Sequence, residues 1–526
     1  MIDCRNGNRS GRFERVWAIF LLVSLLFGVS SVLRAGSRES LQKAAELVQQ
    51  GRLQEADQQA HLALYDPATR AVAYSVLGTI RFQQKRLAES VNFLQQAIRL
   101  EPNLLGARLS LAEVYALQNK PALALDLYQK VLEVDPSNAV ACFALARSEH
   151  EKGHYQRSLD LARPILPALT QAPDGLLLLA GDYLNTGDRA SAASLAGDWM
   201  RLANPAPEWS MKFALLLAKG GVVPEAIEIL EHARQAGHTS YELAFNLAGT
   251  YLLNKDTARA LENYDLALTL RGDSVPALRQ AAEISEQNGE LERSLSYWIR
   301  LKKINPNDPD TLLGFGRVCL KMDLLDDAVP ALTQASNLRK DPTARYTLAA
   351  AKVGKRQFQE AQSLFEELLK ANQADPQLHY ALGSVFYLEG NLNDAATHLR
   401  ESIRLQPDQL DPYYYLALVR RDQGNEPEAL RTLEDVLKRY PDHGPSNEAL
   451  GGLLMSAHRY PEAEASLEKA IRLNPKSVKA NYQLGLLLAR MGKKDEADKQ
   501  LEVAKSLRKE DEESSRLQLR LLDPAR

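Results

Sequence analysis

Polar and apolar residues alternate along this chain in two very different ways. From Val16 to Leu33 there is an unbroken apolar run of 18 residues, VWAIFLLVSLLFGVSSVL, preceded by Arg5, Arg9, Arg12 and Arg15. Beyond it the apolar residues recur at helical spacing, as in 105–138, where they are Leu111, Val114, Tyr115, Leu123, Leu127 and Val131. Small residues punctuate this pattern. Ala56, Ser90, Ala124, Ser158, Ala192, Ala226, Ala260, Ser294 and Ala328 are each 34 positions apart, and after one dropped residue the series resumes at Ala361, Ala395, Ala429, Ala463 and Ala497. Twelve residues ahead runs a second series: Ala44, Gly78, Ala112, Ala146, Ala180, Ala214, Ala248, Ala282, Gly316, Ala349, Gly383, Ala417, Gly451 and Gly485. The spacing predicts a repeated pair of helices, A and B. The second series lies on helix A and the first on helix B, each small so that the two backbones can approach closely.

Punctuation residues support the pairs. Five positions before each helix B small residue stands a turn, with Gly at 51, 153, 187, 221, 289, 390, 424 and 492, as expected where a helix ends in the left-handed conformation. Pro102, Pro136, Pro306, Pro407, Pro441 and Pro475 close units, because proline cannot continue helix B. Asp411-Pro412 reads as an N-cap followed by the first helical residue. Units four to seven lack the closing proline and carry Pro164, Pro167, Pro205 and Pro207 instead, which displaces their expected helix ends.

This pattern resembles the tetratricopeptide repeat family: the 34-residue period, the Gly or Ala of helix A, the Ala of helix B and the terminal Pro all match, most clearly in 105–138 with Leu111-Ala112, Tyr115, Ala124, Tyr128 and Asp135-Pro136. The resemblance implies an all-α, right-handed superhelical solenoid of tandem helix-turn-helix units with a concave inner groove. It extends over residues 37–511, which fourteen units less the one dropped residue fill without remainder. Residues 512–526, with Leu517, Leu519, Leu521 and Leu522, read as a helical cap over the open end of the array.

The N-terminal segment, 1–36, has the plan of a secretory signal peptide or a signal anchor, with a basic region ahead of an apolar core. Its dense part suits a signal-peptide core, and its full length is just enough to span a bilayer, so cleavage and retention both fit. Either way the arginines stay cytoplasmic and the repeats are exported across the cytoplasmic membrane, periplasmic or membrane-anchored outside the cytoplasm. A buried helix in a cytoplasmic adaptor is the remaining alternative.

Composition narrows the function. A net charge of −3, 25% charged and 45% hydrophobic residues describe a folded protein without the basic surplus of a nucleic-acid binder. Cys4, Cys142 and Cys319 form no CxxC or Cys/His cluster, so no metal is expected. No disulfide is expected either, because Cys142 and Cys319 are too far apart along a solenoid to meet. Four residues separate His150 from His154, but Gly153 lies between them at the turn. No HExxH, GxSxG, P-loop or GxGxxG is present, so neither a cofactor nor an enzymatic site is expected.

Resemblance to the family implies protein or peptide partners held in the groove by helix A residues. The fifth position of each unit is one such site, and it is Phe143, Phe245, Tyr346, Tyr380, Tyr414 and Tyr482 in units four, seven, ten, eleven, twelve and fourteen. Seven residues on, along the same face, stand Tyr387 and Arg421. Tyr and Arg are enriched in binding hot spots, although tyrosine here equally suits packing between helices. A ladder of tyrosines also suits stacking on sugar rings, which keeps a glycan-contacting role in an exopolysaccharide or cellulose export system as the alternative. Arg279, Glu283 and Glu286 in unit eight read as a solvated charged patch. Export is testable directly. A reporter active only outside the cytoplasm, fused at about residue 40, should be active, and an inactive fusion would leave the cytoplasmic adaptor.

Overall fold

The computed structural model describes residues 35–203 and 205–511. The N-terminal apolar run and the 512–526 cap lie outside them. Every regular element among the described residues is helical. The chain divides into two compact bodies, Met1–Leu270 and Arg271–Arg526. Within each body, helices follow one another as antiparallel A and B pairs, for example Leu105–Leu117 with Pro121–Leu132 in the first and Pro376–Glu389 with Leu392–Leu405 in the second. Within each body helix B also packs on helix A of the next unit in most cases, and most consecutive A helices touch directly.

The small residues mark where the two backbones cross. Ala112, Ala146, Ala180 and Ala192 are fully buried, and so are Ala395, Ala429 and Ala463, while Ala124, Ala417 and Ala497 are at most 3% exposed. At two of the three helix B serines the hydroxyl turns onto the small residue of helix A. Ser90 Oγ donates to the Gly78 carbonyl at 2.7 Å, and Ser294 Oγ to the Ala282 carbonyl at 2.8 Å. Where helix A has glycine, a helix B leucine fills the space. A Cβ on Gly383, Gly451 or Gly485 would stand 2.7, 2.5 or 2.7 Å from the Cγ of Leu399, Leu467 or Leu501.

The turn between helices is left-handed in units with and without glycine. Lys85, Asn119, Lys255, Asp323, Arg356 and His458 take φ between 57 and 61° at the position where Gly390 takes 83°. An L-residue pays about 1–2 kcal/mol for this conformation, so the turn geometry is imposed by the helix pairing. Helix starts are capped by the last residue of the preceding unit: the side chains of Asn138, Ser240, Ser274, Asp308, Asp341, Asp375 and Ser477 each accept from a backbone N–H of the first turn. Asp411 departs from the expected capping role. Leu410 is the N-cap and the helix is Asp411–Asp422, so Asp411 sits inside the first turn, where its charge complements the helix dipole. In unit four the prolines break helix B into Tyr155–Ala162, a 3-10 turn Arg163–Ile165 and Leu166–Leu169.

Gly451→Val should therefore destabilise the last units by about 1–3 kcal/mol through overpacking against Leu467. Hydrogen exchange should show faster opening of Gly444–Ser456 and Tyr460–Leu473. Exchange rates unchanged from the parent would count against the crossing as the packing constraint.

Candidate functional site

The helix A layer of units eleven to fourteen carries most of the sequence candidates, and the structure sorts them into buried and accessible. Two of the tyrosines expected in the groove are core residues. Tyr380 is 1% exposed and Tyr346 6%. Tyr346 packs edge-on against Phe365 with ring centroids 5.3 Å apart, and Tyr380 packs edge-on against Tyr415 at 5.8 Å. Burial pushes both phenols well above the ordinary range. The cause is local: at these two units the fifth side chain turns into the seam against Phe358–Ala371, the helix between them, whose Phe365 and Leu368 join both tyrosines in one apolar cluster.

Tyr387, Arg421 and Tyr414 form a connected surface through Tyr415. Tyr387 donates its hydroxyl to Asp422 Oδ2 at 3.0 Å. Arg421 donates from Nη2 to Tyr387 Oη at 3.4 Å and from Nε to Asp422 Oδ1 at 2.7 Å. Burial raises the Tyr387 phenol to about 12, with the Asp422 carboxylate adding to the effect. Burial alone would raise Asp422, but bonds from Arg421 and Tyr387 outweigh it and hold the carboxyl below its usual range. Tyr414 is half-buried, with its ring edge-on to Tyr415 at 5.4 Å and to His443 at 5.5 Å. Beyond it Glu448 accepts from Ser477 Oγ at 2.7 Å and pairs with Lys479 at 2.8 Å. Tyr482 is 51% exposed. Asp422, Tyr415, Glu448 and Lys479 were not singled out in the sequence, and the run Tyr413-Tyr414-Tyr415 was the available signal.

Phe143 and Phe245 lie in the other body. Phe143 is half-buried beneath the Arg147 guanidinium, 6.0 Å from its ring centroid, and Phe245 stacks on Tyr241 at 5.6 Å.

The charged residues of unit eight differ from the solvated patch expected. The Glu286 side chain is 5% exposed and held by Arg317 through two bonds of 2.8 and 2.7 Å and by Lys321 at 2.9 Å. Arg279 pairs with Asp308 at 3.1 Å and lies 3.7 Å from Asp310. These partners come from helix A of the next unit and its N-cap, so the stacking of units neutralises the patch. Burial would raise Glu286, but the Arg317 and Lys321 bonds win and hold it below its ordinary 4.5. Near the turn of unit four, His150 and His154 go separate ways: His150 Nδ1 meets Asp182 Oδ1 at 2.6 Å and His154 Nδ1 meets Glu149 Oε2 at 2.9 Å. Cys142 and Cys319 are free and buried. Among the described residues no group of three or more metal-ligating side chains occurs, and no helix is long and apolar enough to cross a membrane.

Family models described as Tetratricopeptide repeat match residues 75–139, 109–173 and 346–409, and further models of that description match 413–443 and 454–521. The chain carries tetratricopeptide repeats, and its fold is the α-α solenoid of that class. Among curated proteins it is similar to the Protein CTR9 homolog of Arabidopsis thaliana, 20% identical over 273 residues, which are 50% of this chain and 25% of that protein. It is also similar to the Uncharacterized protein ycf37 of Cyanophora paradoxa, 32% identical over 76 residues, 14% of this chain and 44% of that one. The chain thus spans less than half the length of these curated relatives. Solved structures with similarity include a tetratricopeptide repeat protein from Parabacteroides merdae, with TM-score 0.44, 14% identity, 48% of this chain and 100% of that one covered. Yeast Tom70 has TM-score 0.36, 17% identity, and 90% and 96% coverage.

The buried carboxylate gives a pH prediction. Glu286 is depressed in the folded chain, so its contribution is complete above pH 4.5 and is lost as pH falls below that value. Glu286→Gln should cost about 1–3 kcal/mol at neutral pH by leaving Arg317 poorly paired, and should flatten the acid side of a thermal-stability profile. An acid limb identical to the parent's would sink this assignment.

Proposed function

We propose that this chain is a non-enzymatic interaction scaffold that holds protein or peptide partners along the helix A face of its repeats. One observation carries the reading: Tyr387, Tyr414 and Arg421 form a single aromatic and guanidinium surface, with Tyr482 left 51% exposed beyond it. Such side chains supply large rigid contact area and planar donors at low ordering cost. The Arg421–Asp422 pair leaves the guanidinium one-third exposed, so a partner carboxylate or carbonyl can still reach it. Tetratricopeptide repeats generally serve as interaction scaffolds, which agrees with this use. In the proposed organisation residues 1–36 are a signal peptide or anchor engaging the membrane, 37–511 the solenoid of fourteen units, and 512–526 its cap. The repeats then work outside the cytoplasm, and several partners bound in series gain avidity. The glycan reading loses two rungs of its ladder to the burial of Tyr346 and Tyr380.

The test is affinity purification from cross-linked cells, with the full chain compared with a Tyr414→Ala, Arg421→Ala, Tyr482→Ala variant. Specific proteins should be recovered with the parent and fall at least tenfold with the variant. Equal recovery would remove this face as the partner site, and loss of a bound oligosaccharide instead would favour the glycan reading.

A further inference from the structure

A cleft of about 590 Å³, lined by none of the groove candidates, lies between helix B of unit eleven (Leu392–Leu405) and both helices of unit twelve (Asp411–Asp422 and Glu426–Arg439). Its apolar lining comes from Ile403, Leu410, Leu416 and Val436, and its aromatic walls are Tyr413 and Tyr440. Arg400, Arg420, Lys438 and Arg439 complete it, against a single carboxylate, Asp435, which Lys438 already holds at 2.7 Å. Arg400 and Arg439 have no ion-pair partner among the described residues, and the Arg439 guanidinium rests 5.9 Å from the Tyr413 ring centroid. Arg420 Nη1 donates to Thr432 Oγ1, while its buried Nε stands 3.3 Å from Glu428 without making a hydrogen bond. The cleft therefore presents two unneutralised guanidinium groups, those of Arg400 and Arg439, around an apolar floor.

Its origin lies in the repeat register. In unit eleven the position of Arg420 is filled by Phe386, which is buried. Unit nine has Cys319 there, and a second cleft of about 470 Å³ opens beside it between Ile299, Lys302 and Phe315, with Lys302 Nζ 4.2 Å from the Phe315 ring centroid. Ile299, Lys302, Phe315 and Cys319 occupy the register of Arg400, Ile403, Leu416 and Arg420 three units later. Both clefts combine an apolar floor with cations at an aromatic ring.

We infer that the cleft of unit twelve binds an acidic peptide carrying an apolar or aromatic side chain, at a site separate from the helix A groove. The apolar side chain enters over Leu416 and Val436 between the two tyrosines. The flanking carboxylates meet Arg400 and Arg439. Charge complementarity selects this occupant: Lys438 and Arg420 are paired with Asp435 and Glu428, which leaves Arg400 and Arg439 unneutralised at the cleft. The inference does not depend on the groove reading, and the two sites share no residue.

The probe is a fluorescein-labelled peptide, Glu-Glu-Phe-Glu-Glu-Leu-Glu-Glu, titrated with the full chain and followed by anisotropy. Binding should weaken at least tenfold in the Arg400→Glu, Arg439→Glu double variant, whose changed side chains are exposed and whose helicity should equal the parent's. It should weaken as much when every glutamate of the peptide is made glutamine, and should persist in Tyr414→Ala. Affinity within twofold of the parent in the double variant would overturn the site. Equal binding of polyglutamate, or full displacement by a short oligonucleotide at the same charge concentration, would overturn the acidic–apolar peptide as ligand in favour of unspecific anion attraction.

Discussion

The structure rests on the close approach of two helix backbones within each unit. Ser90 Oγ reaching the Gly78 carbonyl at 2.7 Å is that constraint made visible, since a side chain from helix B touches the main chain of helix A. Anything larger than serine on one side, or alanine on the other, would force the helices apart. Because every unit packs on its neighbours, a change of spacing in one pair would also shift the partner surfaces of the next. The leucines at Leu399, Leu467 and Leu501 follow from the same rule, as each occupies the space that a glycine across the crossing leaves free.

That constraint fixes the turns and caps. With the helix axes set by the crossing, the connection has one geometry available, and residues as unsuited to it as Lys85 or Arg356 adopt a left-handed φ of 61 and 60°. The preceding unit's last residue then lands where its side chain can cap the next helix, as Asp308 and Ser477 do. The ion network of units eight and nine is another product of stacking. Glu286 is buried only because helix A of unit nine is laid beside it, and the same helix supplies Arg317 and Lys321 to pay for that burial.

Stacking also decides which aromatic residues remain available. Tyr346 and Tyr380 hold the same position in their units as Tyr414 and Tyr482, yet the first two are sealed beneath their neighbours and the last is open to solvent. The difference follows from what the facing helices contribute. Phe365 and Leu368 offer Tyr346 an apolar pocket, whereas Tyr414 meets His443 and the edge of a charged cluster. In unit twelve Arg420 stands at the register where unit eleven has the buried Phe386, and a cleft lined by cations lies beside it. The repeat gives every unit the same frame, and single departures from it give the surface its chemistry.

The sequence by itself determined the helical class, the pairing of helices and the places where they cross, because small residues at a fixed period tolerate only one arrangement. It also marked eight of the turns through their glycines. Only the tertiary structure decided which side chain at a shared register is core and which is surface, for that depends on residues of the paired helix and of the neighbouring unit, distant in sequence. Arg421 was legible as a candidate from its register, but its pairing with Asp422 and Tyr387 was not. Likewise the charges at 279, 283 and 286 announced a patch, and only the next helix, bringing Arg317 and Lys321, turned it into a buried and neutralised one.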